Sequence, residues 1–254
     1  MTKPVPSVLT GRFLTGPVLI VGARSDIARA LARAYAAQGC NLILAARDAA
    51  RLAADKADLE VRYQVSVQTA ECDLLAIDPD AFLAGLGAVP GTVVMVAGLL
   101  GDQAVSASQD AEARLVMATN YAAPARLLLA AARIMQSGSC IIGISSVAGD
   151  RGRASNYIYG SAKAGFTAFL SGLRASLAGK GIHVLTVKPG FVATAMTEGL
   201  KLPPVITGQP EAVAADIIKA QAKGRDVIYT LWMWRWIMLI IRSIPEKLFK
   251  KLSL

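Results

Sequence analysis

Short, unbroken apolar runs alternate along this chain with longer stretches in which apolar residues recur every three to four positions. The first run, Val18-Leu-Ile-Val21, is followed by Gly22 and then by an Ala-, Leu- and Arg-rich pattern from Ser25 to Gln38. A continuous apolar run of this length predicts a strand covered on both faces, and the 3.6-residue pattern predicts a helix. Further strands are predicted at Asn41 to Ala45, Ser66 to Cys72, Thr92 to Ala97, Ser139 to Ile144, Ile182 to Val187 and Asp226 to Tyr229. Between them, helices are predicted at Ala49 to Leu59, Pro79 to Leu86, Ala111 to Gln136, Tyr157 to Ala178 and Glu211 to Ala222. Such alternation predicts an α/β fold, a doubly wound parallel sheet in a single domain over residues 1–230, with residues 231–254 as an amphipathic basic tail. In that architecture ligands bind beyond the carboxyl ends of the strands.

Composition narrows the picture. The chain has 254 residues, of which 54% are apolar, which excludes disorder and suits one large core. The net charge of +9 raises nucleic acid as a partner, but Lys and Arg are scattered among apolar helices with no arginine-rich arm and no zinc-ligand spacing. An anionic cofactor and an anionic membrane surface account for it instead, so no nucleic acid is expected. Three widely spaced cysteines, Cys40, Cys72 and Cys140, read as buried reduced thiols of a cytoplasmic protein. No apolar h-region occurs in the first sixteen residues, so no secretory signal is expected there. His183 is the only histidine and lies in an apolar strand, which removes a histidine triad or zinc site from consideration, and no metal is expected.

The first strand-to-helix turn, Gly22-Ala-Arg24-Ser25-Asp26-Ile27-Ala28, is where free amides and a helix dipole meet a pyrophosphate in such folds. Only Gly22 fills a glycine position, so the fingerprint is weak by itself. Arg24 inside the turn and Arg47 just after the second strand favour a cofactor with a 2′-phosphate, NADP(H) over NAD(H). Asp48 would bind a 2′-hydroxyl if the register slipped by one, and both arginines are also readable as solvated surface charges. Asp26 brings a carboxylate close to the pyrophosphate position, so it is expected to point away or to cap the helix that follows.

Farther along, Tyr159 and Lys163 stand one helical turn apart, placing a phenol and an ammonium on one face. A tyrosine titrating near ~10 needs a fixed positive neighbour to exchange protons near neutrality. Ser146 lies thirteen residues before Tyr159 within Ile144-Ser-Ser-Val-Ala-Gly149. Asn120 lies in the long predicted helix, Cys72-Asp73-Leu74 follows the third strand, Ala97-Gly98 ends the fourth, and Pro189-Gly190-Phe-Val192-Ala-Thr194 ends the sixth.

In this order, the motifs resemble the short-chain dehydrogenase/reductase family over roughly Val18 to Tyr229. The resemblance implies an oxidoreductase in which Tyr159 is the general acid and base and Ser146 orients the carbonyl oxygen. Lys163 would lower the pKa of Tyr159 and reach the nicotinamide ribose, while Asn120 would hold a relay water. Asp73 and Leu74 would contact adenine, Ala97 and Gly98 would border the cofactor, and Pro189, Gly190, Val192 and Thr194 would hold the nicotinamide carboxamide. Two departures stand out: the glycine turn lacks two of its three glycines, and Met95-Val96 precede Ala97-Gly98 where the family has two asparagines. A homodimer or homotetramer is implied by analogy.

The tail, Leu231-Trp-Met-Trp-Arg-Trp-Ile-Met-Leu-Ile-Ile-Arg242 followed by a lysine-rich end, is shorter than the ~20 apolar residues a spanning helix needs and is interrupted by Arg235 and Arg242. It suits either a helix lying in an anionic membrane interface or an apolar lid packed on the domain or a partner subunit. Its run from Trp234 to Leu252 is similar to the end of the decaprenylphosphoryl 2-keto-ribose reductases, which work with a separate flavin oxidase. That likeness implies a lipid-linked keto sugar or another hydrophobic ketone as substrate. The alternatives are a reductase of soluble or acyl-linked 3-oxo compounds and a nucleotide-binding regulator without turnover.

Overall fold

The computed structural model describes residues 16–199 and 201–252. All but Gly16 of the opening segment, where no secretory signal is expected, lies outside the described residues. Strands β1 (Val18–Val21), β2 (Leu42–Ala46), β3 (Val67–Glu71), β4 (Thr92–Met95), β5 (Cys140–Ile144) and β6 (His183–Pro189) are followed by two short strands, β7 (Phe191–Val192) and β8 (Thr207–Gly208), and by β9 (Val227–Thr230). Seven of them form one parallel sheet in the order β3-β2-β1-β4-β5-β6-β9, while β7 and β8 pair separately. The order reverses between β1 and β4. Strands on either side of that switch carry their crossovers to opposite faces, which opens a crevice at their carboxyl ends.

Helices α1 (Asp26–Ala36), α2 (Ala53–Tyr63), α3 (Pro79–Ala84), α4 (Gln103–Ser108), α5 (Asp110–Met117), α6 (Ala123–Ile134), α7 (Tyr157–Leu177) and α8 (Pro210–Ala222) supply the covering layers. The central strands are buried on both sides, as their unbroken apolar runs require. Val18, Ile20 and Leu44 point into the core shared with α1 and α8, whereas Leu19, Val21 and Ile43 point into the core shared with α6 and α7. Edge strand β3 departs from this pattern: only Val67 is buried, and Gln68 and Glu71 are exposed.

The long helix predicted from Ala111 to Gln136 is present but divided. A π-helical turn, Ala118–Ala122, separates α5 from α6 and contains Asn120. The helical run Asp110–Ile134 is long and apolar enough to cross a membrane, but over half of its most apolar window is buried inside the domain, so here it is a core helix. The three cysteines are free and buried, and desolvation raises their thiol pKa values. His183 lies on β6 with Nδ1 3.6 Å from Cys140 Sγ and Nε2 3.5 Å from Asp226.

Residues past β9 form α9 (Met233–Ser243) and α10 (Glu246–Phe249), which lie back on the domain. Trp234 and Met238 are buried with Val147 of the segment after β5.

Candidate active site

A cleft of about 800 Å³ opens at the carboxyl ends of β1, β4, β5 and β6. Its floor depends on Gly22, which has φ +86° and passes so close to β4 that a Cβ would sit 2.7 Å from the Ala97 nitrogen. Only glycine satisfies both the left-handed backbone and that approach. The turn then enters α1, whose N-cap is Ser25: its hydroxyl accepts from the Ala28 amide at 3.3 Å. A dipole-bearing helix start with its backbone pressed against β4 is the cradle a pyrophosphate needs. Asp26 neither caps the helix nor projects freely. Its Oδ2 accepts the Ala195 amide at 2.8 Å, joining the glycine turn to the segment after the proline–glycine loop. The carboxylate is thereby turned toward a backbone donor, so the cradle remains compatible with an anionic cofactor.

Arg24 reaches toward β2, donating to the Arg47 carbonyl and pairing with Asp48 at 3.2 Å. Asp48 has φ +54°, and the amides of Asp48 and Ala49 donate to the Glu71 carboxylate. Arg47 is exposed at the end of β2, while Asp73 and Leu74 follow β3, beyond the cleft lining.

Across the switch point, the serine turn and the start of α7 converge. Ser146, Tyr159 and Lys163 all line the cleft. Ser145 is occupied elsewhere: its hydroxyl lies 2.6 Å from Thr167 Oγ1 and donates to the Lys163 carbonyl at 3.0 Å, tying β5 to α7. Ser146 opens toward the cleft, accepts from the Ala148 amide at 3.1 Å and hydrogen-bonds the Tyr159 phenol. Close packing of α7 allows this arrangement, since a Cβ on Gly149 would sit 2.7 Å from the Ala164 nitrogen and one on Gly160 would sit 2.9 Å from the Ala148 carbonyl oxygen.

Lys163 is buried, with Nζ donating to the Ile144 carbonyl at 3.0 Å and lying 5.7 Å from the Tyr159 ring centre. Desolvation pushes its pKa down to about 8. Tyr159 moves the other way: burial pushes it up to about 12, and the Ser146 hydrogen bond opposes this only in part. Burial therefore outweighs the lowering of the phenol by Lys163 that the spacing suggests. The Tyr159 phenol keeps its proton through the neutral range.

Asn120 is fully buried beneath this pair. Its amide donates to the carbonyls of Leu99 at 2.6 Å and Val116 at 2.8 Å, and its Oδ1 accepts from the Leu99 amide at 3.2 Å. Both amide protons are thus spent on the backbone, and the side chain acts as a clamp between the π turn and the segment after β4. A Cβ on Gly98 would sit 3.1 Å from Asn120 Oδ1 and 3.4 Å from Lys163 Nζ, so Gly98 lets these residues approach.

The proline–glycine loop forms the opposite wall. Pro189 ends β6, Val192 pairs on β7, and Thr194 starts a single 3₁₀ turn closed by a capping box with Thr197. Gly190 is covered by the Trp234 indole, which would lie 1.9 Å from a Cβ there. That indole packs edge-on against Phe191 and donates to the Ile206 carbonyl at 3.0 Å.

Several positioning residues were not legible as such. Asp150, on the turn after Ser146, accepts from Lys188 at 2.5 Å and from the Tyr229 phenol at 2.6 Å, linking the serine turn to β6 and β9. Burial and the Asp150 carboxylate raise the Tyr229 pKa. Arg151 holds the tail, pairing with Glu246 at 2.7 Å and lying 4.2 Å over the Phe249 ring. A lysine inside an apolar strand, Lys188, was the one available signal of this network. Gln103, Arg153 and Asn156, which also line the cleft, gave none.

Residues 17–203 match the sequence profile described as short chain dehydrogenase. An uncharacterized oxidoreductase of Mycobacterium tuberculosis is 40% identical over 244 residues, covering 93% of this chain and 96% of the relative. A short-chain dehydrogenase from Sphingobium yanoikuyae, solved in complex with NADPH, superimposes with a TM-score of 0.76 at 25% identity, covering 91% of this chain and 97% of that one. A 3-oxoacyl-[acyl-carrier protein] reductase from Brucella melitensis in complex with NAD superimposes with a TM-score of 0.74 at 25% identity, covering 87% and 97%. With the profile spanning most of its length and the glycine turn, serine turn and Tyr-x-x-x-Lys pair meeting in one cleft, the chain belongs to the short-chain dehydrogenase family.

Proposed function

We propose that this oxidoreductase is an NADP(H)-dependent reductase that converts a ketone with an apolar body into a secondary alcohol. The observation that carries the reading is the meeting of Ser146, Tyr159 and Lys163 on a cleft also walled by Leu100, Val116, Val147, Ile158 and Met196. When bound, the nicotinamide cofactor supplies the hydride. The α1 amides and Ser25 would hold its pyrophosphate, Arg24 and Arg47 its 2′-phosphate, and the loop from Pro189 to Thr194 its nicotinamide end.

Tyr159 gives its phenolic proton to the carbonyl oxygen as charge develops there. Ser146 donates to the same oxygen and fixes its approach. Lys163, protonated below about pH 8, stabilises the phenolate left behind. Asn120 keeps the segment after β4 against Lys163, and Trp234 holds the proline–glycine loop.

Support for an apolar substrate comes from the tail. Its inner face packs Trp234 over Gly190, while Trp232 and Ile240 on its outer face are 72% and 67% exposed beside Arg235 and ahead of Lys247, Lys250 and Lys251. An apolar ridge with basic flanks suits an anionic lipid surface. The lipid-linked keto sugar implied by the tail's resemblance is therefore one substrate to test. A second reading, reduction of acyl-linked 3-oxo compounds, is favoured by the likeness to the Brucella reductase.

Oxidation of NADPH and NADH followed by absorbance, with a panel of neutral, acyl-linked and lipid-linked ketones, tests the proposal. Turnover with NADPH and an apolar ketone is expected. Tight NADPH binding without oxidation across the panel would contradict it.

A further inference from the structure

At the proton-relay end of the cleft the chain satisfies its own polar groups; farther toward α4 and the start of α7 it does not. Three polar atoms there are buried without a hydrogen-bond partner: Arg153 Nε, Gln103 Nε2 and Asn156 Oδ1. All three residues line the cavity that contains Ser146 and Tyr159.

Their local structure explains why they stay open. Arg153 lies in the segment between the serine turn and α7, where its backbone carbonyl accepts from the Asn156 amide. Asn156 is the N-cap of α7, yet its side chain makes no capping hydrogen bond. Gln103 starts α4 and spends its Oε1 on the Ile158 amide at 3.2 Å, which leaves its NH₂ group aimed elsewhere. The Arg153 guanidinium has no carboxylate partner among the described residues, and desolvation alone accounts for its lowered pKa. Both acids lining the cleft are already engaged: Asp26 by the Ala195 amide and Asp102 by the Val105 amide that it caps.

A cation and an amide donor that find no acceptor within a partly apolar cavity cost free energy. They become favourable when a ligand supplies the acceptors.

We propose that Arg153, Gln103 and Asn156 form an anion-recognition subsite for the substrate. In it Arg153 and Gln103 donate to a phosphate or carboxylate of the ketone, and Asn156 accepts from a neighbouring hydroxyl or amide. The subsite rests on the ketone-reductase reading for the place of the carbonyl, and it refines the substrate class to an amphiphile with an apolar body and an oxyanion. The oxyanion belongs either to a soluble metabolite or to the linker of a lipid.

Direct binding tests this without requiring turnover. On the protein loaded with NADPH, calorimetric titration would compare inorganic phosphate, octyl phosphate below its micelle concentration, and octanol. The expectation is that octyl phosphate binds at least ten-fold more tightly than octanol and that Arg153→Gln removes that advantage, with NADPH affinity unchanged within two-fold. Inorganic phosphate binding as tightly as octyl phosphate would place the subsite on a soluble anion. Weak phosphate with tight octyl phosphate would place it on a lipid-like one. Either result depends on Arg153 if the subsite exists. Equal binding of octyl phosphate and octanol, or an octyl phosphate affinity untouched by Arg153→Gln at intact NADPH affinity, would overturn the proposal. A failure of ketone turnover alongside Arg153-dependent anion binding would instead count against the reductase reading alone.

Discussion

The two ends of the cleft are built on opposite principles. Around Tyr159 the chain finishes its own hydrogen bonding. Ser145 ties β5 to α7, Asn120 spends both amide protons on carbonyls, and Lys163 donates to Ile144. Around Arg153, three polar atoms are left buried and unpaired. Chemistry that does not vary with substrate calls for groups held in place before anything binds. Recognition gains specificity when polar groups are left for the correct ligand to satisfy, because a ligand lacking the complementary atom leaves them unpaired. The same contrast divides the tail, where Trp234 is locked over Gly190 while Trp232 and Trp236 face outward.

The largest effect that would sharpen this contrast is expected from Tyr159→Phe. Removing the proposed proton donor should lower kcat for ketone reduction by ~10² to 10⁴. The dissociation constant for NADPH should stay within two-fold, as measured by cofactor fluorescence. Comparable losses in binding and turnover would show that the relay end is not independent of the rest of the cleft.

A smaller effect, about ten-fold, is expected at the cofactor's far end. Arg47→Ala should weaken NADPH by about an order of magnitude, the scale of one charge-assisted contact, and leave NADH nearly unchanged. Equal weakening of both cofactors would remove Arg47 from 2′-phosphate recognition and leave that role to Arg24.

The smallest effect is expected from pH. Lys163 is protonated below about pH 8 and loses its proton as the pH rises through that value, well before Tyr159 at about 12. The rate of ketone reduction should therefore be flat below about pH 8 and decline above it. Lys163→Arg should extend the plateau upward if charge alone matters. A rate that rises through pH 8 would break the assignment of a protonated Lys163.

Much of the fold was legible because strands buried on both faces must be apolar throughout. The unbroken runs from Val18 and Thr92 located β1 and β4 to within a few residues. Boundaries moved where side chains did unforeseen work. The sequence pattern puts Asn41 in a strand, but its Oδ1 accepts the Ser66 amide just before β2 begins at Leu42. The break in the long helix was not legible, because a π turn is fixed by what Asn120 clamps across space and not by local propensity. Helix α4 leaves no signal in the sequence because Gln103–Ser108 is too short to show a period.

At the site, Ser146, Tyr159 and Lys163 were readable because their spacing is local to one turn and one helix. Arg153 was not, since a lone arginine between a glycine and an alanine reads as a solvated loop charge until burial shows otherwise. The tail left two readings open, a lid and a lipid-facing helix. Tryptophans at positions 232, 234 and 236 cannot share one helical face, and the structure sends the middle one inward.

The most direct test of the central claim follows the hydride. NADPH carrying deuterium at nicotinamide C4, on the face that transfers, would be mixed with the protein and the best ketone from the panel, and the alcohol examined by mass spectrometry and NMR. One deuterium per molecule on the new carbinol carbon is the predicted result. Consumption of the cofactor with no deuterium on that carbon would contradict it.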